Sequence, residues 1–531
     1  MTASDSRNIV LTGFMGTGKT TVGQLLAAQL GYEFVDTDRV IEERHGTIAD
    51  IFRSMGEEGF RRVERELAAE LADRTGLVIS TGGRMMLDPQ NVASLSRNGR
   101  VFCLVATADE IFDRVTNDRS RTERPLLSVP DPRRRIVELL AERSPDYRRF
   151  AQLTTDAVSA DAVASDLVAL ARSDPHRFAI DNPTGDYEYS VGAAVLPFVR
   201  QLARIEGPMV VVTNPEVGAL YLASCGEVDL TITLPTGSGR HKDLAAVQHV
   251  YDALLEANVD RSATIVSLGD SIVGDVAGFA AATYFRGLDL VHCPTDLIAM
   301  IDTSIGGKVG LDVPQGKNLI GLFKQPRAVV ADVATLQTLS RRQFSSGMAE
   351  VVKHALIAGS HLLAQLEGGE WHASSHEERD SLGRLQTLVA QAIQVKIAIV
   401  QDDPFEEARR AILNLGHTFA YAFEQVGVEA LTHGEAVGLG LVAAARLSEE
   451  WGSAVLGLAD RVEALVSRVG LATSLPIAMP TDDLIEAMRR DKKRQGGKLR
   501  FVLMRDIGDP YIADDVPIAA LDNVLVSLQP G

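Results

Sequence analysis

The sequence predicts an α/β protein made of two successive α/β units and a final helical unit. Three observations predict this. Short apolar strands alternate with helical stretches up to about residue 172, the same alternation returns between about 178 and 335, and the pattern is almost wholly helical after about Leu339. At 531 residues, the chain is also too long for a single ordinary core.

The first unit, residues 1–172, is predicted to hold a parallel sheet with helices on both faces. The strands expected from apolar runs are Asn8 to Thr12, the segment ending at Phe34-Val35, Leu77 to Ser80, and Val101 to Val105. A helix from about Ala160 to Arg172 closes the unit, and residues 173–177 form the best linker candidate because they contain Pro175 in a polar stretch.

The second unit is predicted to be an α/β nucleotide-binding lobe, residues 178–335, followed by an all-α lobe, residues 336–531. Its expected strands are Met209 to Val212, Ala263 to Leu268, Leu290 to His292, and Ala328 to Val330. The cleft between two such lobes is the natural place for a ligand.

Composition excludes several classes of partner. The formal charge is 53 − 71 = −18, which argues against a nucleic acid or an anionic membrane. We find no apolar run long enough to span a membrane and no signal peptide. The three cysteines are scattered without metal or redox spacing, which fits a reducing cytoplasm. We therefore expect a cytoplasmic protein whose partners are small molecules.

A phosphate-binding loop opens the first unit. Residues Gly13 to Thr20 read G-x-x-x-x-G-K-T directly after a strand and before a helix, so backbone N–H groups and a helix N-terminus would surround phosphates. Mg²⁺ is expected on Thr20 and Asp36, with Lys19 on the outer phosphates. The full set expected to bind ATP from this loop is Gly16, Thr17, Gly18, Lys19, Thr20 and Thr21.

Acidic and basic residues near this loop indicate a hydroxylated acid as the second substrate. Asp38 suits a substrate hydroxyl or a base role, Arg61 offers a planar fork for a carboxylate, and Thr81-Gly82-Gly83 allows close backbone approach. The remaining arginines are expected in a basic lid and beside the substrate: Arg119, Arg121, Arg124 and Arg143. Taken singly, each arginine also fits a charged surface helix.

On these motifs, residues 1–172 are similar to shikimate kinases. The resemblance implies a P-loop kinase domain that phosphorylates the 3-hydroxyl of shikimate with ATP and Mg²⁺. It implies that Lys19, Asp38 and Arg124 are catalytic, with Arg124 also on ATP, and that shikimate contacts Asp38, Arg61, Gly82, Gly83 and Arg143. Arg84 replaces the third glycine of the family, which predicts altered affinity. A kinase of another polyol acid, such as gluconate, is the alternative.

The helical lobe carries a candidate metal site. Glu350, His417 and His433 form a common catalytic Zn²⁺ set, although sequence separation alone leaves structural histidines as an alternative. Loop cations and polar groups suggest a phosphorylated substrate nearby: Arg286, Asp302, Lys308, Lys317, Asn318, Lys396, Arg410 and Lys492. Each of them taken alone also fits solvated surface charge.

Residues 178–531 are similar to 3-dehydroquinate synthases. The matching runs are Val273 to Phe279, Ile305 to Lys308, Gly316 to Asn318, Ala349 to Val351, Leu413 to Phe419, and His433 to Val437. The resemblance implies NAD-dependent, metal-dependent cyclisation of a seven-carbon sugar-acid phosphate with loss of phosphate, and Zn²⁺ or Co²⁺ on Glu350, His417 and His433. It implies substrate or proton-transfer roles for Arg286, Asp302, Lys308, Asn318, Lys353, Lys396, Arg410, Asn414, Tyr421 and Lys492.

The departures from this family concern mainly NAD. The implied NAD contacts are Lys242, Ser271, Ile272, Gly274, Asp275, Thr295, Asp296, Lys317, Thr335 and Thr338. Gly269-Asp270-Ser271 replaces a triple glycine, the usual Gly-Glu pair is replaced around Gly237-Ser238-Gly239, and Thr295-Asp296 replaces paired threonines. Two like charges about 4 Å apart repel by about 4 kcal/mol at an effective dielectric of about 20, so Asp270 predicts weaker NAD binding.

Tyr421 replaces a second family histidine one turn after His417 and is a poorer proton carrier at neutral pH. The alternatives for this half are a divergent sugar-phosphate cyclase and a weakly active metal-binding scaffold. For the whole chain, a module that binds nucleotide and sugar acid without turnover is the non-enzyme alternative. A homo-oligomer formed through the second half is a further expectation.

Overall fold

The computed structural model describes residues 7–117, 127, 129–172, 175–235, 242–359, 361–368, 381–406, 408–427, 430–492, 499–514 and 516–530. Three expected sites fall outside these residues: Arg124 with its neighbours Arg119 and Arg121, the segment Gly237-Ser238-Gly239, and the side chain of Lys492. Among the described helices, none is both long enough and apolar enough to cross a membrane.

The N-terminal domain is the predicted parallel sheet flanked by helices, with a fifth strand, Ala151–Thr154, that the sequence did not indicate. Its strands are β1 Asn8–Thr12, β2 Glu33–Asp36, β3 Leu77–Ser80, β4 Gly99–Val105 and β5 Ala151–Thr154, in the order β2-β3-β1-β4-β5. Its helices are α1 Lys19–Leu30, α2 Thr37–His45, α3 Ile48–Ala72, α4 Pro89–Ser96, α5 Ala108–Asn117, α6 Pro132–Tyr147 and α7 Ala160–Arg172. Since all strand pairs are parallel, β1, β2 and β3 deliver their carboxyl ends to one edge.

The α/β lobe contains a seven-stranded sheet of order β6-β7-β14-β11-β10-β8-β9, in which only β6 runs antiparallel to its neighbour. Its strands are β6 His176–Ile180, β7 Tyr187–Gly192, β8 Met209–Thr213, β9 Leu230–Thr233, β10 Thr264–Gly269, β11 Asp289–Pro294 and β14 Ala328–Asp332, and a separate hairpin pairs β12 Lys308–Val313 with β13 Gly316–Phe323. Its helices are α8 Val199–Leu202, α9 Pro215–Tyr221, α10 Leu244–Glu256 and α11 Ser271–Thr283.

The helical lobe follows a short helical turn, Val333–Thr338, which we call the connector because the chain passes through it from one lobe to the other. Its helices are α12 Arg341–Ala358, α13 His361–Glu367, α14 Leu382–Asp402, α15 His417–Gly427, α16 His433–Glu450, α17 Leu458–Arg468, α18 Thr481–Lys492 and α19 Ile518–Ser527. One antiparallel hairpin, β15 Phe501–Met504 with β16 Pro510–Ala513, is added to the predicted helices.

A continuous apolar cluster links the N-terminal domain to the rest of the chain. Leu11 and Ala151 belong to the same cluster as Tyr189 and Ala193, and all four are almost fully buried. Strand β6 starts at His176, inside the expected linker of 173–177. The two halves are therefore packed against each other.

Candidate active sites

The phosphate loop of the N-terminal domain has the geometry that its sequence predicts. Gly16 and Gly18 adopt φ values of 78° and 89°, which favour glycine, and the loop leads directly into α1. Lys19 Nζ donates to the carbonyl oxygens of Gly13 and Phe14, both at 2.9 Å, and Thr17 Oγ1 donates to Phe14 O at 2.8 Å. The loop thus encloses the lysine that is expected on the phosphates, while Thr21 follows on the exposed start of α1.

The expected Mg²⁺ ligands lie together beside this loop. Thr20 Oγ1 donates to Asp36 Oδ2 at 3.0 Å, so one hydroxyl and one carboxylate face the same space. A Cβ built on Gly82 would lie 2.4 Å from Asp38 Oδ1, which shows how closely Asp38 approaches that glycine. Burial and the negative charge of Asp36 raise the pKa of Asp38 to about 6, although Lys19 opposes the shift. Asp38 therefore ionises within reach of neutral pH.

Two of the predicted arginines face the same crevice. Arg143 is buried, lies 5.4 Å from the ring of Phe14 in the phosphate loop, and places Nη1 4.0 Å from a Cβ built on Gly83. Arg61 Nη1 contacts Glu64 Oε2 at 2.6 Å, and its positive charge partly offsets the rise in the pKa of Asp38. The geometry fits an anion held between the glycine pair and the guanidinium groups.

Arg84 lies next to these groups. Arg84 Nη1 and Arg61 Nη2 approach the same oxygen, Glu57 Oε1, at 3.3 and 3.2 Å. The cations of Arg61 and Arg84 therefore converge on the carboxylate of Glu57. Glu57 was not predicted from the sequence.

In the helical lobe, three expected metal ligands from three helices meet. Glu350 on α12 is fully buried, and its Oε1 lies 3.5 Å from His417 Nε2 and 3.7 Å from His433 Nε2. These distances exceed a good hydrogen bond. They are close to the roughly 3.4 Å between two ligands of a tetrahedral Zn²⁺ ion at about 2.1 Å each. The donor set and its spacing therefore fit a divalent ion, and the three ligand atoms all lie within 4.8 Å of one another.

Each histidine is oriented through its other ring nitrogen. His433 Nδ1 contacts Glu424 Oε1 at 2.8 Å, and His417 Nδ1 contacts Leu415 O at 3.2 Å, so both Nε2 atoms point to Glu350. Burial disfavours the charged imidazolium, but the nearby carboxylates of Glu350 and Glu424 raise the pKa of His433 to about 9. Glu424 was not predicted from the sequence, although it lies on α15, two turns after His417.

Buried charges surround this site. Glu350 Oε2 is paired with Lys353, and Lys396 Nζ lies 2.5 Å from Asp302 Oδ1, while Lys353 Nζ lies 4.0 Å from the same oxygen. Burial lowers the pKa of Lys396 to about 8, despite the opposing charge of Asp302. Two of the expected substrate lysines therefore share one aspartate at the boundary of the two lobes.

A second set of predicted groups lies on the hairpin and its neighbours. Lys308 is paired with Glu406, whose Oε1 accepts from Asn414 Nδ2 at 3.3 Å. Arg410 is buried and donates to Pro404 O at 2.7 Å and to Gly306 O at 3.3 Å. Lys308, Arg410 and Asn414, all predicted to bind the substrate, therefore lie in one region. Glu406 lies with them, although it was not predicted from the sequence.

The hairpin also connects the expected NAD groups to the metal site. Lys242 Nζ lies 2.5 Å from both Asp275 Oδ2 and Asn318 Oδ1, and Lys317 Nζ lies 2.8 Å from Glu424 Oε2. Because Glu424 also holds His433, the hairpin and the metal site are joined by one carboxylate.

The expected dinucleotide turn is closed by its own aspartate. Asp270 is the N-cap of α11, and its Oδ1 accepts from the N–H groups of Ile272 and Val273, both at 3.0 Å. Burial raises the pKa of Asp270. Asp296 Oδ1 accepts from Ala299 N at 2.7 Å, and burial, with Asp270 nearby, raises the pKa of Asp296 to about 7. The Asp270 side chain therefore accepts hydrogen bonds from the first amides of α11, in addition to placing a negative charge at this turn.

The other expected NAD contacts flank this turn. Ser271 Oγ accepts from Thr303 Oγ1 at 3.0 Å, and Gly274 lies in the first turn of α11, where a Cβ would contact His292 at 3.8 Å. Thr295 N donates to Gly269 O at 3.0 Å. Thr335 and Thr338 belong to the connector, and Tyr221 Oη contacts Thr335 O at 3.3 Å and Thr338 Oγ1 at 2.6 Å.

Two further predicted residues lie beyond the end of α11 and on α15. Arg286 is exposed just beyond the C-terminal end of α11, roughly 20 Å along the helix from Asp270 at about 1.5 Å per residue. Tyr421 lies on α15, where its hydroxyl accepts from Gln425 Nε2 at 2.9 Å. It follows His417 by one helical turn.

Family models match both parts of the chain. The family model for shikimate kinase matches residues 15–171. The models for the N-terminal and C-terminal parts of 3-dehydroquinate synthase match residues 231–346 and 347–494. The two half-chains therefore match different families.

Curated relatives match the second half over most of their own length. A 3-dehydroquinate synthase of Synechococcus sp. is 41% identical over 329 residues, covering 60% of this chain and 88% of the relative. One of Nostoc punctiforme is 39% identical over 357 residues, covering 65% and 98%. A solved 2-epi-5-epi-valiolone synthase from Streptomyces hygroscopicus, with NAD⁺ and Zn²⁺ bound, is 26% identical with a TM-score of 0.59, covering 66% of this chain and 99% of that one.

Proposed function

Because the chain belongs to the 3-dehydroquinate synthase family and carries a shikimate kinase domain ahead of it, we propose that it is a bifunctional enzyme of the shikimate pathway. The first cleft transfers phosphate from ATP to the 3-hydroxyl of shikimate. The second converts 3-deoxy-arabino-heptulosonate 7-phosphate to 3-dehydroquinate and phosphate. The two reactions are not consecutive, and the proposal includes no channelling.

In the kinase domain, the proposed chemistry rests on Asp38. Its carboxylate would accept the proton of the shikimate hydroxyl as the oxygen attacks the γ-phosphorus and ADP leaves. Lys19 would stabilise the outer phosphates, and Thr20 with Asp36 would hold Mg²⁺. Arg61, Arg143, Gly82 and Gly83 would hold the substrate, while Arg124 stays a predicted ATP contact. The observation that supports this most is the close approach of Asp38 to Gly82 beside the Thr20–Asp36 pair.

In the synthase half, the proposal rests on the convergence of Glu350, His417 and His433. When bound, NAD supplies reversible oxidation of a substrate hydroxyl, and Zn²⁺ or Co²⁺ on these three residues supplies a Lewis acid. Lys308, Arg410, Asn318 and Asn414 would bind the phosphate end. Lys353 and Lys396, both beside Asp302, would orient hydroxyl groups and carry protons. Arg286, Tyr421 and Lys492 stay predictions.

The residues proposed to hold NAD come from the α/β lobe, the hairpin and the connector. Lys242 and Asp275 form an ion pair next to Asn318, and the remaining set is Ser271, Ile272, Gly274, Thr295, Asp296, Lys317, Thr335 and Thr338. The alternative, a cyclase of another sugar phosphate, is not favoured. The synthase relatives are 39–41% identical, against 26% for the valiolone synthase.

The domain bounds 1–172, 173–177, 178–335 and 336–531 belong to this proposal, as does a cytoplasmic location. So does a homo-oligomer formed through the synthase half. It is supported by apolar side chains exposed on the hairpin, namely Leu319, Ile320 and Phe323. Light scattering of the purified chain tests the oligomer.

A crossed assay tests the two activities. Lys19→Ala should abolish phosphorylation of shikimate and leave phosphate release from the heptulosonate phosphate unchanged, whereas Glu350→Gln should do the reverse. Each variant serves as the folding control of the other. Kinase turnover that survives Lys19→Ala, or synthase turnover that survives Glu350→Gln, would contradict the corresponding half of the proposal.

A further inference from the structure

A glutamine side chain of the connector contacts the kinase domain. Gln337 Oε1 accepts from the backbone N–H of Gln152 at 2.8 Å, and Gln337 Nε2 donates to Gln152 O at 3.0 Å. Gln152 lies on β5, which forms an edge of the five-stranded sheet. The Gln337 amide thus takes the place of a neighbouring strand for one residue.

A buried arginine makes a second contact between the halves. Arg100 on β4 is 5% exposed, and its guanidinium donates to Leu170 O in the kinase domain and, at 2.6 Å, to Ala193 O in the synthase half. The next residue, Ala194, donates its N–H to Asp332 Oδ1 at 2.8 Å. Asp332 directly precedes the connector, so this chain of contacts links the kinase domain to the start of the connector as well.

The connector is firmly held on the α/β lobe. The buried carboxylate of Asp332 also accepts from Val195 N at 2.7 Å, Leu196 N at 3.0 Å and Ala334 N at 3.1 Å. Tyr221 adds its contacts with the two connector threonines. Two residues beyond the connector, Ser340 caps α12, the helix that carries Glu350 and Lys353. The connector therefore relates the α/β lobe to the metal-bearing helix.

We propose that the kinase domain braces the connector and so fixes the relative position of the two synthase lobes, with Gln337 as the positioning residue. The synthase cleft draws cofactor groups from one lobe and metal ligands from the other, and misplacement by about 1 Å can cost about 100-fold in rate. The kinase cleft lies within its own domain and does not need the brace. The effect on turnover rests on the proposed synthase function, whereas the effect on the connector does not.

The test is Gln337→Met, which keeps the length of the side chain and removes both hydrogen bonds. We expect hydrogen exchange of the Gln152 amide, which donates to Gln337, to become at least about tenfold faster, and that of the connector amide of Ala334 to rise as well. Synthase kcat/KM should fall about tenfold through kcat, because two neutral hydrogen bonds are lost. Kinase kcat/KM should stay within about twofold of the parent.

The matched control is Gln248→Met on the surface of α10, where Gln248 Nε2 donates to Asp252 at 2.7 Å. It should change neither exchange nor turnover. In Gln337→Met, unchanged exchange at Gln152 or at Ala334 would overturn the brace, and so would an equal loss of both activities. A parent chain without synthase turnover would reject the proposed function, and the exchange rates at Gln152 and Ala334 would then decide on the brace alone.

Discussion

Replacement of Asp270 should strengthen NAD binding, and two variants separate the reasons. The Asp270 carboxylate accepts from the first amides of α11 at 3.0 Å, which are the groups that an entering pyrophosphate would use. Asp270→Asn keeps a capping side chain but removes the charge. Asp270→Gly removes both the charge and the occupancy of the amides.

The expected gain in NAD affinity has an upper and a lower bound. If the carboxylate stays in place, a phosphate charge about 4 Å away costs about 4 kcal/mol at an effective dielectric of about 20, or about a thousandfold in affinity. If the side chain rotates away, the loss is that of an N-cap, about 1 kcal/mol, or about fivefold to tenfold. We therefore expect Asp270→Gly to lower the NAD dissociation constant by between about fivefold and about a thousandfold.

Titration calorimetry of the metal-loaded chain with NAD measures this directly, without turnover. Equal gains in both variants would assign the effect to charge, whereas a gain in Asp270→Gly alone would assign it to occupancy of the amides. If neither variant binds NAD more tightly than the parent, the assignment of this turn to the pyrophosphate is wrong.

The pH dependence provides a second check on the same binding constant. The pKa of Asp296 is raised to about 7 and that of Asp270 is also raised, so both carboxyls gain protons and lose negative charge as the pH falls. NAD binding by the parent should therefore tighten as the pH falls through about 7. In Asp296→Asn the dependence should be flatter, and an unchanged profile would contradict the role of this carboxyl.

Three further predictions concern the other sites. Kinase kcat/KM should rise with pH through about 6 and then level off, because Asp38 must lose its proton before it can accept one, and a profile without this inflection would exclude Asp38 as the base. Glu424→Gln should weaken metal binding about 10–100-fold in competition with a chelator, because Glu424 orients His433. Glu435→Gln, on the next helix and paired with Arg342, should leave metal binding unchanged. Equal metal content in Glu424→Gln and the parent would refute the orienting role. Arg84→Gly should raise the KM for shikimate about tenfold at nearly constant kcat, and an unchanged KM would mean that Arg84 serves only Glu57.

Local motifs allowed much of the kinase domain to be predicted. The phosphate loop and the strand Leu77 to Ser80 were located from contiguous residues, and the structure places Thr20, Asp36 and Asp38 together because parallel strands end at one edge. The contact of Arg84 with Glu57 could not be read from the sequence, since it depends on where α3 lies relative to the turn after β3.

The synthase site was predicted mainly through family resemblance. Its three ligands lie on separate helices, and no spacing rule brings Glu350 to His417 and His433. Glu406 and Glu424 were missed because a single carboxylate resembles any surface residue until its cationic partner is known. Likewise, the chemical character of Asp270 suggested repulsion, and only the backbone geometry shows that it caps α11.

The two edges of the kinase sheet differ in how they avoid self-association. Strand β2 begins and ends with a carboxylate, Glu33 and Asp36, whereas β5 reads Ala-Gln-Leu-Thr and carries no charge. Uncharged edge strands are templates for aggregation, and here the Gln337 amide covers that edge. A kinase fragment cut after residue 172 would lose this cover, so separating the two enzymes would require a new charge on β5, for example Leu153→Lys, to keep the fragment monodisperse.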